Sequence, residues 1–377
     1  MGCKCYHCGF LIAFMRLRTK RTLPIVFGVL LVAAAVTLAV QLRKHAPPEP
    51  ARLLPGADGY LYVNLRWVRT LNAATQLPPV SHDPEYQQFI QETGFQFERD
   101  LDQAAFAVHY PASWGGEGTG GPATEPRFSE IFVGRIQHDQ LKTYLRRIAK
   151  SVDQYNSTDI FNIPIEGRTV RVAILGVRTV AISNHDDPQL IRSIVDRSRK
   201  LASPFGGPAF LRKYYKHVSL GSIGWGIVKV QPAVPGSPSI FGGWSILFPR
   251  PATVVVSARY IRSLHLKAEA FTASEQDART ITEKATTFLS LFHAAEGSVT
   301  SQGVDPDVKT FFESLKVAQQ KDRAVLTATI PPGFIRKAFA ESPYPLAPAT
   351  PAIENKAGAV PDTKKSDAPK SRKAPAK

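Results

Sequence analysis

Apolar and polar positions change period several times along this chain, and those changes mark out its elements. From Leu23 to Leu42 the apolar run carries no charge. At 1.5 Å per residue, about 20 residues span the roughly 30 Å of bilayer hydrocarbon, so this run predicts one transmembrane helix. Beyond it, short β-rich runs predict strands at Gly59–Leu65, Ala104–Tyr110, Phe128–Ile136, Asp159–Ile163, Thr169–Leu175, Thr179–Ser183, Leu220–Val230, Ala252–Ala258 and Ser263–Ala273. The period of two is cleanest in the last, where Leu264, Leu266, Ala268 and Ala270 alternate with His265, Lys267, Glu269 and Phe271. Lys316–Gln320 and Ala324–Ile330 form a hairpin about Lys321-Asp322.

Helical spacing appears between these runs. Leu141, Tyr144, Leu145 and Ile148 share one face, as do Leu190, Ile191, Ile194 and Val195, and Ala278, Ile281, Ala285, Phe288, Leu289 and Phe292. Val308, Phe311, Phe312 and Leu315 make a fourth set, and Ala209–His217 reads as helical. Asp83-Pro84, Asp187-Pro188 and Asp305-Pro306 each place a capping carboxylate before a proline at the first helical position. Ser274 to Asp277 resembles a capping box, and Gly94 supplies a helix stop. Strands in runs, with helices interspersed and no βαβ rhythm, predict an α+β fold. Its sheet or sheets are mainly antiparallel, with helices packed on one face and the transmembrane helix in front.

The domain map follows. Residues 1–22 are a basic cytoplasmic N-terminus, 23–42 the membrane helix and 43–54 a Pro-rich spacer; 55–342 form the extracytoplasmic domain. Residues 343–377, rich in Pro, Ala and Lys, are expected to be disordered. Tyr62–Leu71 echoes Val255–Leu264: a strand, then Arg, aromatic, β-branched, Arg, hydroxyl, Leu. Either the domain holds two related halves, 55–218 and 219–342, or two edge strands are alike by chance.

The net charge of +16 is unevenly spread. Residues 1–45 carry seven Lys/Arg and no acid, and 343–377 carry seven against three acids, which leaves +5 for the middle. So mild a balance gives no support to nucleic-acid binding. Arg16, Arg18, Lys20 and Arg21 precede the apolar run and only Arg43 and Lys44 follow closely. That asymmetry predicts the N-terminus in the cytoplasm and the domain beyond an inner membrane. A cleaved signal peptide ending near Ala33-Ala34-Ala35 is the rival, although the apolar run continues past that point.

Cys3, Cys5 and Cys8 all precede the apolar run, and a start at Met15 would omit them. One C-x-x-C without a second is a weak metal signal, and the exported domain has neither disulfides nor a thiol nucleophile.

Taken together, the membrane anchor, the Leu54-Pro55-Gly56-Ala57-Asp58 opening, Phe128–Ile136 with its helix, and Thr179–Asp196 resemble a group of uncharacterised bacterial membrane-anchored extracytoplasmic proteins with a repeated strand–helix–strand ectodomain. The likeness covers about residues 53–340. It implies an envelope location and transfers no activity or functional residue.

Chemical motifs are sparse. Gly116–Gly121 fits G-x-G-x-x-G, but Pro122 follows where a dinucleotide loop needs a helix, so it reads as a plain loop. In His185-Asp186-Asp187, Asp187 is explained as a helix cap. No G-x-S-x-G, Walker loop, H-E-x-x-H or S-x-x-K occurs. No catalytic, cofactor or metal residue is assigned. Basic side chains crowd Arg192–Lys216 and read as a solvated face. Arg66, Arg69, Arg259 and Arg262 leave their strands at matching places in the echo and are the candidate anion-binding set. The expected partners are the membrane, with an anionic lipid or envelope polymer and a protein partner as further candidates. Three functions remain open, in this order: a binding or scaffolding ectodomain, a carrier of a lipid or other apolar ligand, and an envelope hydrolase with dispersed catalytic residues.

Overall fold

The computed structural model describes residues 31–32, 46–70, 82–110, 127–165, 167–199, 206–232, 246–299 and 306–335. Its strands are β1 (Gly59–Asn64), β2 (Leu101–His109), β3 (Arg127–Gly134), β4 (Ser151–Tyr155), β5 (Thr158–Ile165) and β6 (Arg168–Gly176). They continue as β7 (Thr179–Ser183), β8 (Gly224–Val230), β9 (Ala252–Ile261), β10 (Ser263–Phe271), β11 (Lys316–Gln320) and β12 (Arg323–Ile330). All belong to one 12-stranded antiparallel sheet in the order β11-β12-β10-β9-β8-β1-β2-β3-β7-β6-β5-β4. The helices, among the described residues, are α1 (Glu49–Leu53), α2 (Leu65–Thr70), α3 (Pro84–Thr93), α4 (Phe97–Asp100) and α5 (His138–Ile148). After them come α6 (Gln189–Arg199), α7 (Ala209–Tyr215), α8 (Glu275–Val299) and α9 (Pro306–Ser314).

This architecture corrects the expected fold class in two respects. Helices cover both faces of the sheet, not one. Adjacent strand residues point to opposite sides, and the core divides accordingly. Ile131, Ile160, Ala173 and Ala181 pack with Ile191 and Ile194 of α6 and Leu211 of α7. Their neighbours Phe161, Val172 and Val180 pack on the other side with Leu145 of α5. Ala270 and Ala324 meet Ile281 of α8 on that same second face.

The second correction concerns the two related halves. Residues 55–218 and 219–342 do not build separate sheets, because β1 pairs directly with β8 and fuses both groups of strands into one. Nor does the echo hold in three dimensions. Its first copy enters α2 at Leu65, while its second stays extended to Ile261 and turns at Arg262, whose φ is +62°. The Asn64 side-chain oxygen accepts the Trp67 N–H (3.3 Å) and so caps α2. The corresponding hydroxyl, on Ser257, donates to the Ser219 Oγ at 2.9 Å.

No helix of the described residues is long and apolar enough to cross a membrane. The expected span at 23–42 lies outside the described residues except for Leu31 and Val32, which are helical. Residues 1–22 and 343–377 lie outside them as well. Part of the segment read as a spacer is core: α1 and the next residue bury Ala51, Leu53 and Leu54. The Arg197 guanidinium donates to the Leu53 and Leu54 carbonyls, and the Tyr60 hydroxyl donates to the Pro55 carbonyl at 2.9 Å.

Local signals behave as their chemistry requires. The Asp83 carboxylate accepts the Tyr86 N–H at 2.7 Å, and Gly94 ends α3 at φ +67°. The Ser274 hydroxyl accepts the Asp277 N–H and donates to the Asp277 carboxylate. Asp187 caps α6 by accepting the Gln189 N–H. Past the end of β11, the Ser314 hydroxyl accepts the Thr329 N–H and donates to its carbonyl, which satisfies the β12 edge.

One carboxyl stands in an apolar row of the second face. Glu130 of β3 lies between Phe106 and Ile182 on the neighbouring strands. Burial pushes its pKa up to about 7. A folded value above the unfolded one means that stability is full below about pH 4.5 and is lost as pH rises through about 7. Glu130→Gln is expected to raise stability at pH 8.5 by roughly 1–3 kcal/mol and to change it little at pH 4.5. Urea denaturation at the two pH values measures this, and an equal shift at both would contradict it.

Candidate functional site

Two polar groupings interrupt the first face. The first is a hydrogen-bonded chain across β2, β3 and β7. His109 Nε2 lies 3.1 Å from Ser129 Oγ, which lies 3.1 Å from Ser183 Oγ. A serine beside a histidine is the kind of dispersed pair a hydrolase would use. Here Ser129 is 0% exposed and Ser183 1%, so the hydroxyls are sealed from any substrate. Burial, and then the nearby His185, hold the His109 pKa down at about 4. The chain is a satisfied polar seam of the core.

His185 beside it is also accounted for. Its Nδ1 accepts the Asp187 N–H at 3.1 Å, and Asp186 pairs with Arg127 at 3.1 Å. Among the described residues no group of three or more His, Cys, Asp or Glu side chains could hold a metal. Cys3, Cys5, Cys8 and the Gly116–Gly121 motif lie outside the described residues.

The second grouping is an open cleft of about 430 Å³ floored by β9, β10 and β12 and walled by the end of α9. Strand alternation builds it. Arg259 of β9, His265 of β10 and Thr329 of β12 form one cross-strand row, and Ser257, Lys267 and Thr327 form the next. The His265 ring is held from both sides, with Nε2 3.2 Å from Ser263 Oγ and Nδ1 3.3 Å from Thr329 Oγ1. Lys267 Nζ reaches Glu269 at 3.0 Å. Glu269 is 2% exposed and also pairs with Arg323 at 3.1 Å. Two cations thus surround one buried carboxylate, which matches the requirement for burying charge. Arg259 and Lys316 line the cleft from exposed positions with no ion-pair partner among the described residues. Glu313 is its acidic lining residue. The arrangement offers two solvated cations, a lysine tied to a carboxylate, and threonine and serine hydroxyls. It suits an anionic group with several oxygens.

The four arginines picked from sequence are only partly gathered. Arg259 lines the cleft. Arg69 is taken up structurally, bonded to the Asp102 carboxylate and the Leu101 carbonyl, with Arg178 on the other Asp102 oxygen. Arg66, exposed on α2, and Arg262, at the β9–β10 turn, stand at the same end of the sheet as Arg259. Sequence reasoning missed His265, Lys267 and Lys316 as site residues. The polar side of the β10 alternation was the available signal for the first two.

Two further clefts, of about 390 Å³ beside Tyr144 and Arg147 and about 350 Å³ beside Pro48 and Tyr62, are likewise open. None of the three encloses the apolar cavity that a buried-ligand carrier would need.

The polar seam carries its own pH dependence. A histidine with a depressed folded pKa lends stability above about pH 6.5 that is lost as pH falls through about 4. Replacing it by an uncharged residue of similar size, His109→Gln, is expected to flatten the loss of thermal stability between pH 6.5 and 4. Unchanged acid sensitivity in the variant would show that the loss arises elsewhere.

No protein-family model matches the chain, and no curated protein matches it. Among solved structures, crystal form IV of TP0453 aligns with a TM-score of 0.38 at 11% identity, covering 78% of this chain and 97% of that one. Crystal form III of the same protein aligns with a TM-score of 0.40 at 10% identity, covering 77% and 97%.

Proposed function

We propose that the extracytoplasmic domain is a binding or scaffolding module of the cell envelope, not a catalyst, and that the β9–β10–β12 cleft takes the phosphate of an anionic lipid headgroup. The observation that carries this reading is the pair of exposed cations, Arg259 and Lys316, facing one polar cleft. The sealed state of Ser129 and Ser183 supports binding over hydrolysis. The charge asymmetry around residues 23–42 supports a site at the inner membrane with the N-terminus inside. A headgroup bound in this way stays close to the bilayer that anchors the chain.

The test uses the full chain in neutral detergent, titrated with phosphatidylglycerol and separately with phosphatidylcholine. Phosphatidylglycerol is expected to bind more tightly, and binding should weaken as salt shortens the Debye length. The Arg259→Ala/Lys316→Ala double variant should lose about tenfold in affinity, the effect of removing charge-assisted contacts. Equal binding of the two lipids, or an unaltered double variant, would sink the reading.

A further inference from the structure

The second face has an unexplained centre. Five strands place only apolar residues there. Ala104, Val63, Gly224, Ala258 and Leu266 form one cross-strand row, and Phe106, Leu61, Gly226, Val256 and Ala268 form the next. Val108, Gly59, Val228, Val254 and Ala270 complete the array. Helices α1 and α7, which touch β1 and β8, lie on the first face. Among the described residues, the helices on the second face stand to either side: α2 over β2, with Phe89 of α3 beside it, and α8 over β10 to β12. Leu61 is left 45% exposed and Val256 37%.

The array is furrowed. Gly224 and Gly226 remove two side chains from β8 between Leu61 and Val63 on one bank and Val256 and Ala258 on the other. A β-carbon built on Gly226 would meet Leu61 Cδ1 and the Tyr60 carbonyl oxygen at 3.7 Å, so one carbon fits there in ordinary contact. Glycine inside a central strand marks close approach of a ligand or another backbone. The banks are two strand spacings apart, about 10 Å, and the two glycines open about 7 Å along β8, as far as Val228, within an array about 14 Å long.

Geometry limits the occupant. A second copy would have to bring its sheet to about 10 Å, and the flanking helices already fill that layer. A helix, about 10–12 Å across with its side chains, would ride over a furrow one side chain wide and leave its floor empty. A polymethylene chain fills it. Charge sets the polarity of the ligand. At the end where β1 passes into α2 and β9 turns into β10 stand Arg66 and the exposed Arg262, and Tyr260 occupies the next position on this face. Two acids stand nearby: Asp102 of β2, already paired with Arg69 and Arg178, and Glu130, two strands from the furrow's β1 bank.

We infer that the glycine furrow between β1 and β9 holds the hydrocarbon chain of an anionic amphiphile, with its head at Arg66 and Arg262. This site lies on the face opposite the cleft and does not depend on the function proposed for it.

The experiment is photolabelling of the full chain in phosphatidylcholine nanodiscs with a diazirine-bearing palmitate, mapped by mass spectrometry. Labelling of peptides outside β1, β8 and β9 serves as the internal standard. Wild type should label on Leu61, Gly226 or Val256. Gly226→Val, which plugs the furrow with a better strand former, should cut that labelling about tenfold without lowering the melting temperature. Arg66→Ala/Arg262→Ala should cut palmitate labelling about fivefold and leave the neutral diazirine-bearing hexadecanol unchanged. Arg259→Ala/Lys316→Ala should alter neither. Absence of wild-type labelling on these strands, or full labelling of a folded Gly226→Val, would overturn the site. Equal loss of both probes in the arginine pair, or loss of neither, would overturn the anionic head.

Discussion

The pairing of β1 with β8 is the contact on which the fold turns. Five backbone pairs, from Gly59–Val228 to Val63–Gly224, join segments far apart in sequence and convert two groups of strands into one sheet. Without them β1 and β8 would each be an edge, with a row of unpaired amide and carbonyl groups. The seam also holds buried aromatic residues. Tyr62 stacks on Trp225 across it at 5.6 Å, and Tyr60 lies fully buried one pair away. Both strands present apolar side chains or glycine to the second face and bury Tyr60, Tyr62, Trp225 and Ile227 on the first.

From the seam outward the two faces part company in chemistry. On the first face the apolar floor beneath α1, α6 and α7 gives way to a polar surface as it crosses β9, β10 and β12. Glu269 marks that boundary. A carboxylate this deep needs compensation, and Lys267 and Arg323 supply it from the same and the adjacent strand. Arg323 also lies over the Phe271 ring, which His217 and Tyr214 flank. The aromatic cluster closes off the core, and the cations beyond it line an open cleft. On the second face no such polar boundary exists between β1 and β10.

Much of the local structure was legible, because its causes are local. Asp83, Asp187 and Ser274 cap helices through hydrogen bonds spanning two or three residues, and Gly94 stops one by its own backbone conformation. The alternation of β10 gave the polar side of the cleft. The strand β4 was missed because it buries so little: Ser151, Val152, Asp153 and Gln154 are all exposed and leave no period to detect. Sheet order was not legible, since nothing in Gly59–Val63 specifies Gly224–Val228 as its neighbour. The echo misled for an instructive reason. Asn64 and Ser257 can both cap a helix, and only Asn64 does so; Ser257 is paired on both sides, with Trp225 of β8 and Lys267 of β10, and its hydroxyl meets Ser219. A partner remote in sequence decided between helix and strand. Arg259 was therefore picked for a symmetry the molecule lacks, yet it lines the cleft.

The seam also sets an order of events during synthesis. The chain is made from its N-terminus, so β1 and the strands β2 to β7 leave the ribosome well before β8. Throughout that interval one flank of β1 has no partner, and its apolar side chains stand on both surfaces of an incomplete sheet. Nascent chains in that condition are open to strand-by-strand association with their neighbours. The wait ends only when the later segment arrives, which makes the connection between β7 and β8 a timing element as well as a link.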